Sequence, residues 1–253
     1  SRRRHTRYIS VTGVQTCALP ILILNNIDLN IESCKWICLV GPNGAGKSSL
    51  LKVLLGSLEY SGSAKENGIE IFRNSKRSVA YVPQNPEIPL GMRVFEYVAL
   101  GAGKSNRWGK VESRLIYEAL ERTEIYGLQK RLLTEISGGE FQRVLLSRIF
   151  LQNADLILLD EPTSALDLHQ QISVLSKIED LKVAGKTIVS TMHDLTLAAM
   201  YADEIVILKD GSILKTGRAD EIVHATELKQ AFNNQINVYT LDSGNTVIFP
   251  ERN

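Results

Sequence analysis

Residues 41–48, GPNGAGKS, set three glycines, a lysine and a hydroxyl in the order G-x-x-x-x-G-K-[ST]. The apolar run WICLV precedes them and the helical pattern SSLLKVLLGSL follows. In such a strand–loop–helix setting, backbone N–H groups at a helix N-terminus cradle phosphate oxygens. Gly41, Gly44 and Gly46 let the loop curl, Lys47 neutralises β- and γ-phosphate charge, and the Ser48 hydroxyl suits Mg²⁺. The stretch Gly41, Pro42, Asn43, Gly44, Ala45, Gly46, Lys47, Ser48, with Ser49 after it, is expected to wrap a nucleoside triphosphate. ADLILLDEP supplies a second chemical feature, an apolar strand ending in two acids. Open parallel sheets bind ligands at that end of their strands. Asp160 is expected to hold Mg²⁺ through water, and Glu161 to orient or deprotonate an attacking water.

A third feature is TEISGGEFQRVLLSRI, residues 134–149. Ser137 followed three residues later by Glu140 is a capping-box pattern, and Phe141, Val144, Leu145 and Ile149 recur at helical spacing. Capping accounts for the serine and the glutamate. It leaves the pair Gly138–Gly139 unexplained.

The elements that must position these residues can be read along the chain. LNNIDLNI alternates like a half-exposed strand, SVAYVPQ reads as a strand, and residues 92–132 read as mostly helical with a basic interruption at GAGKSNRWGK. LHQQISVLSKIEDLKVAG is an amphipathic helix stopped by Gly185, and KTIVSTMHD begins with a buried strand. EIVILKDGSILKTG reads as a hairpin turning at Asp210–Gly211, residues 219–234 as helical, and INVYTLDSGNTVIF as a second hairpin. Strands alternating with helices imply an α/β fold with a largely parallel sheet. Hydrophobic content of 44% and charged content of 23% are ordinary for a soluble globular protein, and no apolar run reaches membrane-spanning length. Cys17, Cys34 and Cys38 form no disulfide or metal framework; Cys34 and Cys38 are expected to be small residues near a reduced core.

The start of the chain needs separate treatment. VTGVQTCALPI, residues 11–21, resembles the reading-frame translation of a short-read sequencing adapter, and residues 1–7 fit the neighbouring primer. Residues 1–21 are therefore expected to be an assembly artefact, leaving residues 22–250 as the domain. The segment holds four arginines and no acid, so without it the formal charge falls from +1 to −3. No basic excess then points to a polyanion partner.

Phosphate loop, SGGE and LLDEP in this order, with 23 residues from Ser137 to Asp160, resemble the nucleotide-binding domain of ABC transporters over about residues 22–250. The resemblance implies a P-loop NTPase fold with a RecA-like core, antiparallel β elements, and a helical subdomain inserted at about 86–150. It implies ATP and Mg²⁺ as ligands. In that family the signature serine and glycines serve the γ-phosphate of a second copy, which gives Ser137, Gly138 and Gly139 a role across a head-to-tail dimer. Gln84 matches the Q-loop glutamine that contacts Mg²⁺ or the water. Asp167 in SALD matches the D-loop near the dimer seam, and His193 matches the switch histidine at the γ-phosphate. Ile136 and Glu140 are mild departures from the signature, Phe141 stands where importers often carry Arg, and Cys34 stands where a turn glycine is usual. An adenine-stacking aromatic would lie near Thr16, so the chain is expected to lack that stack and its first strand.

VPQNPEIPLGMRVFEYVALG, DEPTSALDLHQQ and MHDLTLAAMYADEIVILKDGSILKTG together look like importers of the iron–siderophore, haem or cobalamin type. The family then implies a homodimer on the cytoplasmic face of the cell membrane. A permease would dock near residues 84–108, where Trp108 is expected to be either an interfacial contact or a partly buried helix-cap aromatic, and a substrate-binding protein would act outside. No nucleic-acid partner is expected. Two other classes compete. A soluble ABC ATPase acting on nucleic acid or ribosomes usually has tandem domains or a coiled-coil insertion, and neither is present. A P-loop kinase is opposed by SGGE and by the Glu161–His193 combination.

Overall fold

In a computed structural model, which describes residues 8–18, 21–73, 77–102, 113–164, 166–242, 244 and 246–251, the chain opens with two long antiparallel strands. They are β1 (Tyr8–Ala18) and β2 (Ile21–Glu32). The expectation of a missing first strand is corrected here. β1 carries Ile9, Val11, Val14 and Thr16 on a buried face, and β-branched residues at near-alternate positions favour the extended backbone. Gly13, at φ 58°, lies where the register shifts between Val11 and Val14.

After β3 (Trp36–Val40) the phosphate-loop sequence leads into α1 (Lys47–Leu55). Leu50, Leu51, Val53 and Leu54 of α1 are fully buried, so truncating one to alanine costs about 2–5 kcal/mol. Gly56, at φ 81°, ends the helix by donating to the carbonyls of Lys52 and Val53. The hairpin β4 (Ser61–Glu66) and β5 (Ile69–Glu70) turns at Asn67–Gly68, whose φ values are 53° and 79°. Next come β6 (Val79–Val82) and three helices, α2 (Val94–Ala99), α3 (Ser113–Arg122) and α4 (Gly138–Gln152). Phe141 is buried in α4 with its ring 6.0 Å from Tyr97 of α2, so it packs a core rather than a surface. The remaining chain forms β7 (Leu156–Asp160), α5 (Leu168–Val183), β8 (Thr187–Thr191), α6 (Leu195–Tyr201), β9 (Glu204–Lys209) and β10 (Ser212–Arg218). It ends with α7 (Ala219–Ile222), α8 (Thr226–Ala231), β11 (Ile236–Thr240) and β12 (Thr246–Pro250).

The strands make a six-stranded sheet of order β10-β9-β3-β8-β7-β6, a four-stranded antiparallel sheet of order β2-β1-β4-β5, and the pair β11-β12. In the large sheet only the β9–β10 hairpin is antiparallel. Its central strands are buried throughout because both faces are covered. Trp36, Cys38 and Val40 of β3 face the core shared with α4, α5 and α6, whereas Ile37 and Leu39 face α1 and the antiparallel sheet. β7 divides in the same way, with Ile157 and Leu159 on one side and Leu156 and Leu158 on the other. Two cores thus grip one sheet, and its strand ends are held in fixed register.

Cys38 is buried, but Cys34 is exposed, which corrects its placement near the core. It sits in the turn before β3 at φ 61°, a left-handed conformation that glycine accepts more readily, and its thiol donates to the Gly185 carbonyl at 3.2 Å. Trp108 lies outside the described residues.

Candidate active site

Four parallel strands end on one edge, and each delivers a part. β3 runs into loop 41–46, β6 leads to Gln84, β7 ends at Asp160 with Glu161 next, and β8 ends at Thr191 two residues before His193. A cavity of about 370 Å³ opens there, lined by Asn43, Gly44, Ala45, Gly46, Lys47, Ser48, Ser49, Gln84, Glu161 and His193, with Ile23 at its side.

Gly41 holds the loop against the sheet. At φ 148° a β-carbon on it would lie 2.0 Å from the Leu208 carbonyl oxygen at the end of β9. Gly44, at φ 81°, has nothing within 4 Å of that position and faces the cavity. Lys47 donates to the carbonyls of Gly41 at 2.8 Å and Pro42 at 3.0 Å. Burial pulls its ammonium below the usual lysine range, against the opposing pull of Glu161, Asp160 and Cys38.

The acids are bound tightly. Asp160 is buried, and its Oδ1 accepts from Ser48 Oγ at 3.1 Å and from Thr191 Oγ1 at 2.7 Å. The Glu161 carboxylate accepts from Gln84 Nε2 at 2.6 Å and lies 2.5 Å from His193 Nε2. Glu161 has a φ of 54°; its N–H donates to Thr191 Oγ1 at 2.8 Å, and its carbonyl accepts from Ser164 N at 3.2 Å and Ser164 Oγ at 3.0 Å. Thr191 was not anticipated. Its sequence signal was a hydroxyl closing an otherwise buried strand, but only the register, which sets Thr191 opposite Asp160, gives that hydroxyl a partner.

Ser48 Oγ, the Asp160 carboxylate and the Gln84 amide oxygen are hard donors that fit Mg²⁺. Among the described residues no group of three or more His, Cys, Asp or Glu could hold a metal. Such an ion would therefore draw further oxygens from a phosphate ligand, as Mg²⁺ commonly does.

Ser137, Gly138, Gly139 and Asp167 do not line this cavity. Ser137 Oγ accepts from Glu140 N at 3.3 Å and Ser137 N donates to the Glu140 carboxylate at 2.7 Å, the capping box its sequence foretold. Asp167 caps α5 by accepting from Gln170 N at 2.8 Å. The two glycines differ. A β-carbon on Gly139 would meet the Gln170 side-chain amide at 2.5–2.7 Å, whereas Gly138 has open space around it. Gly139 is buried under the movable end of Gln170 from α5, and Gly138 leaves an exposed helix start. No Phe, Tyr or Trp among the described residues lines the cavity; Thr16 is buried in β1, its hydroxyl unpaired among the described residues.

With this geometry in place, the chain can be set beside known proteins. The ABC transporter family model matches residues 24–164. The iron(3+)-hydroxamate import ATP-binding protein FhuC of Bacillus subtilis is 34% identical over 229 residues, covering 87% of this chain and 85% of FhuC. The hemin import ATP-binding protein HmuV of Shewanella denitrificans is 37% identical, covering 89% and 94% of the two chains. A solved inward-facing conformation of a metal-chelate type ABC transporter superposes with a TM-score of 0.82 at 26% identity, covering 97% of this chain and 98% of that one.

Proposed function

The chain belongs to the ABC transporter family, and from that premise we propose that it is the ATP-binding and hydrolysing subunit of a membrane importer for chelates of the iron–siderophore, haem or cobalamin kind. The observation that carries the catalytic half is the Glu161 carboxylate held by both Gln84 and His193 at a cavity floored by the phosphate loop. The loop N–H groups and Lys47 bind the triphosphate. Two of the three ammonium donors of Lys47 engage loop carbonyls, and the third serves a phosphate oxygen. Ser48, Asp160 and Gln84 would hold Mg²⁺, which when bound neutralises phosphate charge. Glu161 takes a proton from the attacking water as its oxygen bonds to the γ-phosphorus and the bond to ADP breaks, a contribution of about 10²–10⁴ in rate. His193 orients Glu161 and the γ-phosphate.

Ser137 and Gly138 serve a second copy. The capping bond uses a lone pair of the Ser137 hydroxyl and leaves its O–H to donate, and the exposed start of α4 favours an anion. Two copies arranged head-to-tail complete each other's sites, with Asp167 near the seam. Among the described residues no helix is long and apolar enough to cross a membrane, and we assign the crossing itself to a permease on which this subunit acts. The subunit works on that permease's cytoplasmic face, with an extracytoplasmic binding protein delivering cargo and no nucleic acid involved. Glu161→Gln tests the assignment. Steady-state turnover should fall at least about 10²-fold while ATP-driven dimers persist in light scattering; turnover near that of the parent would remove Glu161 as the base.

A further inference from the structure

Glu161 occupies a backbone conformation that a non-glycine residue rarely adopts, at φ 54°. Such strain persists only where surrounding bonds over-determine it. Both its backbone groups are pinned, the carbonyl by Ser164 and the N–H by Thr191. Ser164 lies in the same turn and moves with it. Thr191 does not; it is the last residue of β8, fully buried, and paired in register with Asp160.

One hydroxyl therefore performs two tasks. It donates to Asp160 Oδ1 at 2.7 Å and accepts from Glu161 N at 2.8 Å, joining the buried carboxylate to the peptide of the next residue. The two bonds use its single proton and one of its two lone pairs. We infer that Thr191 is a positioning residue for hydrolysis: it locks the strand end in the left-handed turn that aims the Glu161 carboxylate at Gln84, His193 and the cavity. This rests on Glu161 being the base. Asp160 alone could not do it, because Ser48 also donates to Oδ1 and fixes the carboxylate without touching the Glu161 peptide.

The test compares Thr191→Val, which keeps the shape and removes the hydroxyl, with Thr191→Ser, which keeps the hydroxyl. In the purified full chain, Thr191→Val should lower kcat about 10²-fold, the cost of misplacing a reacting group by about 1 Å. Affinity for a non-hydrolysable ATP analogue should stay within about threefold, because the loop that binds phosphate is untouched. Thr191→Ser should recover most of kcat. A second readout needs no turnover. Amide hydrogen exchange without nucleotide should accelerate at Glu161 in Thr191→Val, while Leu156–Leu159 of β7 keep their protection. Unchanged kcat in Thr191→Val overturns the inference, and so does exchange rising evenly across β7 and β8 with no recovery in Thr191→Ser. Persistent turnover in Glu161→Gln would instead sink the catalytic reading, and the exchange result at Glu161 would still report the clamp.

Discussion

Gly41 and Gly44 belong to one loop and one motif, yet alanine should injure them in different ways. At Gly41 the added β-carbon would lie 2.0 Å from the Leu208 oxygen, a backbone atom that cannot rotate away. β9 is tied to β3 there, with Val40 paired to Ile207, so neither side can retreat without breaking register. A strained positive φ costs about 1–3 kcal/mol and overpacking against fixed structure about 1–3 kcal/mol more, giving roughly 2–6 kcal/mol for Gly41→Ala. At Gly44 the β-carbon meets nothing within 4 Å, so only the φ penalty of about 1–2 kcal/mol remains. Gly44 lines the cavity and Gly41 does not, so nucleotide affinity should move in the opposite order. Urea unfolding followed by tryptophan fluorescence reads the first quantity, because Trp36 is fully buried at the start of β3. Equilibrium binding of an ATP analogue reads the second. Equal urea midpoints for the two variants would refute the packing argument. Undiminished affinity in Gly44→Ala would refute its place at the cavity wall.

Burial pushes the Cys38 thiol up to about 12, so in a Cys17→Ser background a maleimide should label exposed Cys34 quickly and Cys38 only after unfolding; rapid double labelling in native buffer would contradict that burial. Hydrogen bonds from Ser137, the backbone N–H first, hold the Glu140 carboxyl below the usual carboxylate range. Its folded pKa thus lies below its unfolded one, and the stability it adds is full above about pH 4.3 and lost as pH falls through the lowered value. Glu140→Ala should cost about 0.3–1 kcal/mol near neutral pH, with the gap in urea midpoint closing in acid; a gap independent of pH would rule out the charged cap.

The active site was legible because its parts are local. A phosphate loop and a strand ending in two acids each state their geometry within eight or nine residues, and a parallel sheet then brings their ends to one edge. What escaped notice depended on pairing between distant segments. Asn67–Gly68 between short strands is a strong hairpin signal, yet β4 and β5 went unread because Ser61–Glu66 carries few apolar residues; it is β1 that gives this strand a partner. β1 itself went unread because its sequence pointed elsewhere, although alternate β-branched residues suffice to bury one face against β2 and α1. Thr191 escaped for the same reason. A hydroxyl closing an apolar strand has no meaning until register sets it opposite Asp160. The Gly138–Gly139 pair combines both situations in adjacent positions. Gly139 does meet a neighbour within the chain, although it is only the movable end of the Gln170 side chain. Gly138 has no such neighbour, and neither capping nor packing requires a glycine there. That open helix start leaves room for a ligand from outside the chain, which is the role proposed above for Gly138 toward a second copy's nucleotide.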